Sequence, residues 1–595
     1  MPSSEMERGR ARNGVQRFLA TWVRLGLTGL ALLAQLVFFA LLLVRGSQVT
    51  SWLDTALVLV SLVVLGIILN SRMQIEYKLA WTIPIMLAPL FGGTFYLLFG
   101  SRTGTRRQME RYHRIQRLAA LDQQGAPGRV TARAGADDTL LPIPDRLAIG
   151  TDARCELAGA GSGGPSAAPD APAGCRPGPG SGMADQPDDL AAAGEGESSS
   201  SPDLFMDPDA ARQVNFLASQ GPFLAYRGTQ TTYYPVGEDA FEAMLAACER
   251  AENWIALEYF IVADGQMWRR LFDVLGRKAR DGVRIWFMYD DLGSVWRLPA
   301  RFIRDLTRTG IRVQPVNRFG PGLTLRYNNR DHRKMLVVDG VIGFTGGINI
   351  ADEYINQWVR FGHWKDTSIG LWGPGAWGLA TLFFTMWDLI TGERTDLAEL
   401  HPSPASLNAQ PAGPGVVVSY DDTPFDDISL GWAAYRNLMS RADDRVDLMT
   451  PYLVPTGEMV GLFTTLAQSG VRVRVVTPGI PDKKYVFAVT RSNYRALVEA
   501  GVEVYEYTPG FLHAKQMVVD GHTAIIGTIN FDFRSFYLHQ ENAVWLHRSA
   551  AIDDMVRDFE ATIAVSRRVT LAEVRSTPWW RRASWLLLRT FSPLM

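Results

Sequence analysis

After residue 210 the chain contains its own pattern twice. DGVRIWFMYD around Gly282 parallels SGVRVRVVTP around Gly470, and TGIRVQPV at Gly310 parallels AGVEVYEY at Gly501. The two copies close on HRKMLVVDGVIGFTGGIN and HAKQMVVDGHTAIIGTIN, with the first histidine and the last asparagine seventeen residues apart in both. Repetition at this spacing, far above a solenoid period, means duplicated domains. Within the first copy, helical and strand patterns alternate. Residues 241–253 read as a helix, 255–262 as a buried strand, the run up to Asp281 as a helix, and 283–290 as a strand. The expected fold is α/β, with one homologous domain over residues 211–400 and another over 415–570.

The repeated segments share H-x-K-x4-D and then G-x-x-N: His332, Lys334, Asp339, Gly346 and Asn349 in the first, His513, Lys515, Asp520, Gly527 and Asn530 in the second. On a strand, residues two apart face the same way, so each His and Lys can meet one anion. The chain has only eight histidines, so chance would give one such motif in about one case in a hundred, and a matched pair is not accidental. A phosphodiester needs this set. One neutral imidazole can attack phosphorus and carry it, a second can protonate the leaving alkoxide, and the Lys ammonium and Asn amide groups can neutralise the phosphoryl oxygens. Two histidines suffice; no metal and no cofactor is required. Asp339 and Asp520 complete the signature and are counted with the catalytic set. Each also stands before a glycine, as a turn residue does, and on a straight strand faces away from its histidine. The carboxylates that orient the histidines then come from elsewhere, with Asp366 in GHWKDTSIGLWG and Glu541 in LHQENAVW as candidates.

The N-terminal region, 1–104, reads as membrane-embedded. Residues 25–44 form a twenty-residue uncharged run, long enough to cross a hydrocarbon core. Residues 52–69 are nearly as apolar, and 79–99 are apolar but interrupted by Pro84, Pro89, Gly92 and Gly93. Arginine clusters at both ends favour the cytoplasm, so one of the three segments is expected to be re-entrant or interfacial, and the catalytic part to be cytoplasmic. Residues 105–210 read as a basic helix followed by a Gly/Pro/Ser-rich disordered linker. WWRRASWLLLRTFSPLM, within 571–595, sets tryptophans and arginines beside leucines, as an interfacial helix does. Sixty Lys+Arg against sixty-one Asp+Glu leave no global basic excess for a nucleic-acid partner. Three cysteines give no disulfide framework or zinc site.

The motifs resemble those of the phospholipase D superfamily, and YKLAWTIPIMLAPLFGGTFYLLFG, HWKDTSIGLWGPG, TPYLVPTGEM and GTINFDFRSFYLHQEN make the chain most similar to its bacterial cardiolipin synthases. That resemblance implies two phospholipase D-like domains forming one active site, with one motif histidine phosphatidylated and the other acting as acid, then base. It makes His332 the nucleophile and His513 the acid, Lys334, Lys515, Asn349 and Asn530 the phosphate ligands, Glu541 the partner of His332 and Asp366 that of His513. The implied reaction is phosphatidyl transfer between two phosphatidylglycerol molecules, giving cardiolipin and glycerol, in a multi-pass protein of the bacterial cell membrane. WKDTS stands where the family has W-R-D-T-H, so Ser368 replaces a histidine, and GTIN replaces G-S-x-N, with Thr528 keeping the hydroxyl. Alternatives on the same residues are a hydrolytic phospholipase D and another phosphatidyltransferase such as a phosphatidylserine synthase. A phosphodiesterase acting on nucleic acid and a non-catalytic membrane scaffold fit less well. Oligomeric state is not legible.

Overall fold

The computed structural model describes residues 51–71, 74–87, 96, 106–122, 129–130, 207–318, 329–425 and 428–594. The chain divides into two compact units, residues 1–131 with 212–595, and residues 132–211, of which only 207–211 are described. The apolar run 25–44 and the Gly/Pro/Ser-rich linker, with Cys155 and Cys175, lie outside the described residues.

The duplication is visible in the strand order. The seven-stranded sheet runs Gln230–Tyr234, Ser368–Trp372, Ile342–Gly346, Met335–Val338, Trp254–Tyr259, Arg284–Asp290 and Arg312–Val316. In the ten-stranded sheet the same order recurs as Val416–Asp422, Glu541–His547, Thr523–Gly527, Gln516–Val519, Arg445–Met449, Arg472–Pro478 and Glu503–Tyr507. The senses match as well. The first four pairings are antiparallel and the last two parallel in each half. The parallel strands are buried on both faces, so Trp254–Tyr259 reads WIALEY with every residue buried, as a strand covered by helices requires.

Between the sheets runs the helix Ala376–Thr391, AWGLATLFFTMWDLIT, buried from Ala376 to Leu389. A helix apolar on all sides has no face to give to water, and here it is in contact with strands of both sheets. It ties the two halves into one body.

Element boundaries differ from the periodic reading where side chains intervene. The helix read over 241–253 begins at Gly237, four residues early, and a residue with a Cβ there would meet the Tyr354 carbonyl oxygen at 1.9 Å, so the first turn packs there only as glycine. The strand Trp254–Tyr259 stops three residues short. The Ile261 N–H donates to Asn349 Oδ1 at 2.9 Å, which turns the backbone out of the ladder and toward the site.

Asp339 and Asp520 each hold a turn. Both adopt left-handed backbone, φ 50° and 52°. The Asp339 carboxylate accepts the N–H groups of Glu252, Asn253 and Trp254, and that of Asp520 accepts those of Asp443, Asp444 and Arg445. Each clamps its turn to the start of the neighbouring strand.

At the N-terminal side, Ser51–Asn70 and Ile75–Leu87 are helices, and Pro84 lies inside the second without ending it. Among the described residues no helix is long and apolar enough to cross a membrane. The second helix packs on the body: Tyr77 stacks on Phe533 at 5.9 Å between ring centroids, and Glu76 Oε1 accepts the Gly457 N–H.

Replacing Asp520 by Ala deprives three backbone donors of their acceptor, two of them at exposed positions that water can partly satisfy. The expected loss is about 1 kcal/mol, a fall in Tm of about 1 °C for a body of this size. Asp520→Asn should fall by less, and thermal unfolding followed by circular dichroism in detergent measures both.

Candidate active site

Each motif histidine is positioned by the opposite half. The His332 N–H donates to the carbonyl of Gln540 at 2.9 Å, and the His513 N–H to that of Lys365 at 2.7 Å. The residue after each of those carbonyls is the carboxylate that meets the ring. His332 Nδ1 lies 2.9 Å from both Glu541 carboxylate oxygens, and His513 Nδ1 lies 2.6 Å from Asp366 Oδ2. The short parallel pairing of His363–Lys365 with Gly510–Leu512, one strand from each half, brings Asp366 to the second motif.

With Nδ1 donating to a carboxylate, Nε2 is left as the ring nitrogen available to a reactant on both histidines. Both rings line one cavity of about 580 Å³, walled by Phe260, Tyr354, Trp364, Tyr452 and Phe511 among others. Phe260 packs edge-on against His332 at 4.9 Å, and Tyr354 likewise against His513 at 5.5 Å. Burial, with the nearby Lys334 ammonium, holds His332 well below the usual imidazole range. Burial, with Lys515, lowers His513 to about 4. Both rings are therefore neutral at pH 7 in the free protein, as a nucleophile must be.

The lysines stand behind the histidines. Lys334 Nζ donates to the His332 carbonyl at 2.5 Å, and Lys515 Nζ donates to the carbonyl of His513 and lies 2.8 Å from its Nδ1. Burial lowers Lys334 to about 8 and Lys515 to about 7, the carboxylates Glu541 and Asp366 opposing the shift in both. Asn349 and Asn530 line the cavity. Asn349 is partly committed elsewhere: Oδ1 accepts from Ile261, and Nδ2 donates to the Tyr354 hydroxyl at 2.8 Å. Asn530 Oδ1 is buried with no hydrogen-bond partner among the described residues. Thr528, in the GTIN segment, donates to Glu541 Oε2 at 2.6 Å and so fixes the carboxylate that holds His332. Lys365 points elsewhere, pairing with Asp558 at 2.7 Å.

The structure thus brings together His332, His513, Lys334, Lys515, Asn349, Asn530, Glu541 and Asp366, and leaves Asp339 and Asp520 outside. It adds one residue that the motif reading passed over. His539 lies two residues before Glu541, lines the cavity, and sits 5.4 Å from His332 between ring centroids. Its place in LHQEN, two residues before the carboxylate that meets His332, is the signal that points to it. His332, His539 and Glu541 offer ligand atoms within 4.8 Å of one another, a spacing a metal ion could use. The Lys334 and Lys515 ammonium groups and the cavity-lining Arg330 and Arg534 make that corner hostile to a cation and suited to an anion.

Comparison with known proteins places the chain. A family model described as "Cardiolipin synthase, PLD-like domain" matches residues 435–563, and one described as "Phospholipase_D-nuclease N-terminal" matches residues 56–101. A protein of Geobacillus kaustophilus named cardiolipin synthase is 35% identical over 399 residues, covering 65% of this chain and 79% of its own. Another of that name, from Halalkalibacterium halodurans, is 34% identical over 369 residues, covering 62% and 72%. An uncharacterized protein of Streptococcus mutans is 38% identical over 382 residues, covering 64% and 82%. With identity at this level over most of each relative's length, the chain belongs to the family of phospholipase D-like cardiolipin synthases.

Proposed function

We propose that this chain is a cardiolipin synthase that moves a phosphatidyl group from one phosphatidylglycerol to the hydroxyl of another, releasing glycerol. The observation that carries the reading is the pair of neutral imidazoles, each braced by a carboxylate of the opposite half, on one cavity. His332 Nε2 attacks phosphorus, and the P–O bond to glycerol breaks as the alkoxide takes a proton from His513. His513 takes that proton from solvent as the substrate binds, because a phosphodiester anion beside it raises its affinity for a proton. In the second half, the acceptor hydroxyl gives its proton to His513 while its oxygen displaces His332 from phosphorus. Lys334, Lys515, Asn349 and Asn530 stabilise the charge that builds on the phosphoryl oxygens. The aromatic wall of the cavity favours an alcohol over water at the intermediate.

The same reading makes this a multi-pass protein of the cell membrane with its catalytic part on the cytoplasmic side. Two features support contact with a membrane. The helix Ser51–Asn70 exposes Leu59, Leu62, Val63, Ile67 and Leu69, an apolar surface that water disfavours. The C-terminal helix Trp579–Thr590 buries none of its residues and leaves Trp579 80% and Leu586 67% exposed beside Arg581 and Arg582, the composition of a helix lying in a headgroup layer.

Full-length protein in mixed micelles with labelled phosphatidylglycerol tests the reaction. Labelled cardiolipin with release of glycerol is expected, whereas phosphatidic acid as the sole product would make the chain a hydrolase. His332→Ala should lower the rate by at least about a thousandfold. His513→Asn should accumulate an acid-labile lipid label on the protein after quenching, and label trapped instead in the His332 variant would exchange the roles of the two histidines.

The pH profile of kcat/KM reports groups of the free protein. Its acid limb should lie below the ordinary histidine range, because His332 loses its proton at a lowered pKa and is active above it. On the alkaline side it should fall first as His513, which burial lowers to about 4, loses its proton, and again through about 7 to 8, where Lys515 and then Lys334 lose the charge that the transition state needs. Lys515→Arg, which stays charged, should move only that second fall upward in whatever activity it retains.

A further inference from the structure

The cavity carries cations beyond the motif lysines. Arg297, Arg330, Arg360, Lys483 and Arg534 line it, against the carboxylates of Glu353, Asp482 and Asp532, while the buried Asp290 pairs with Arg330. Five cations against four anions leave a surplus of one positive charge, apart from Lys334 and Lys515, which face Glu541 and Asp366. A surplus of one matches one phosphodiester group besides that at the histidine pair.

One side of the cavity is where the second would sit. His539 is 92% buried, lines the cavity, and has neither ring nitrogen in a hydrogen bond among the described residues; its nearest acid is Glu541, 3.5 Å from Nδ1. Leaving a buried imidazole so placed is costly unless a ligand completes it. Arg330, Lys483 and Arg534 act on that ring electrostatically, so they gather around it. Of the acids nearby, one pairs with Arg330 itself, one faces Arg534 as well as its own helix, and one accepts a hydroxyl. Asp290 holds Arg330 at 3.3 Å, Asp532 accepts the Ser535 N–H at 2.7 Å, and Asp482 accepts the Tyr452 hydroxyl at 2.6 Å. The cluster shares the cavity wall with Phe533, on which Tyr77 of the helix Ile75–Leu87 stacks.

We infer that Arg330, Lys483, Arg534 and His539 form a second phosphate subsite, which holds the phosphodiester of the acceptor lipid while its hydroxyl reaches the phosphohistidine. The inference rests on the phosphatidyl-transfer reading and deepens it, since it selects an anionic acceptor. In a phosphatidylglycerol acceptor the reacting hydroxyl and the phosphate are joined by three carbons. The 5.4 Å between the rings of His332 and His539 is a distance such a linker bridges. A phosphate held by guanidinium and ammonium groups in a cavity partly shielded from water gains strongly from charge-assisted hydrogen bonds. The step balances: the acceptor O–P bond forms, the His332 N–P bond breaks, and the hydroxyl proton passes to His513.

The test uses two soluble acceptors that differ only in the phosphate. Full-length protein in micelles of phosphatidylglycerol is given labelled glycerol or labelled glycerol 3-phosphate, and labelled lipid is measured for each. Wild type should prefer glycerol 3-phosphate. Lys483→Gln, at an exposed position that tolerates the change, and Arg534→Gln should each reduce that preference by about tenfold, the effect of losing one favourable charge contact. Absence of a preference in the wild type, or an equal fall for both acceptors in both variants, overturns the subsite. If wild type labels lipid with neither acceptor and forms no cardiolipin, the phosphatidyl-transfer reading itself fails.

Discussion

Neither half of this chain holds a complete histidine. His332 in the first half depends on Glu541 and the Gln540 carbonyl in the second, and His513 in the second depends on Asp366 and the Lys365 carbonyl in the first. An imidazole with no carboxylate at Nδ1 is free to choose its tautomer and to rotate, and its Nε2 lone pair then has no fixed aim. The reciprocal bracing supplies both tautomer and aim, and it does so only when the two sheets are docked. The buried helix Ala376–Thr391, the pairing of His363–Lys365 with Gly510–Leu512, and the bond from Asn542 Nδ2 to Thr345 Oγ1 at 2.8 Å all act on that docking. Stability of the interface and competence of the site are therefore one property.

Holding this arrangement in a dry interior means burying two ammonium groups and two carboxylates within a few ångströms of two imidazoles. Desolvation opposes each charge singly, and the set survives by mutual compensation. The consequence is chemical as well as structural. The histidines are pushed neutral and the lysines down toward neutrality, and a bound phosphate favours the protonated form of each. The first half carries an additional buried network: Arg333 contacts Glu258 at 2.6 Å, Asp331 at 3.3 Å and Asp421 at 3.7 Å. The Tyr112 hydroxyl reaches Asp421, which links the basic helix Arg106–Asp122 to the segment that bears His332. The second half has Ala514 at the position of Arg333 and lacks the equivalent. The duplicated strand order is intact, but the two motif segments are no longer supported in the same way.

Much of this was legible in the residues. The repeated VxV-type strands and the matched H-x-K-x4-D segments mark a doubled α/β fold, because strand periodicity and spacing are local properties. The cross-half partners could be named only as candidates, since Asp366 and Glu541 lie 147 and 209 positions from the imidazoles they meet. The signature aspartates are ambiguous for the opposite reason. Asp339 and Asp520 recur in both motifs and each holds a turn, and recurrence alone does not separate a residue that shapes a turn from one that touches a phosphate. The strand ending at Tyr259 shows the same limit: an apolar run continues to Val262, but the Asn349 side chain captures the Ile261 N–H, a contact 88 positions long.

The motif reading is also blind to charge that is not in the motif. Arg330 and Arg534 belong to NNRDHRK and NFDFRSF, and Lys483 to an unremarkable loop, so nothing in their local sequence groups them. They converge because Arg330 immediately precedes the strand-like segment that carries His332, while Arg534 sits on the short helix Phe533–Tyr537 that follows Asn530. The segment after the second motif thus does two things at once. It returns the chain to Glu541, which braces the first histidine, and on the way it presents Arg534 and His539 to the same cavity. Attraction for a second anion is then set by the same backbone path that completes the reaction centre, and a change that displaces one must displace the other.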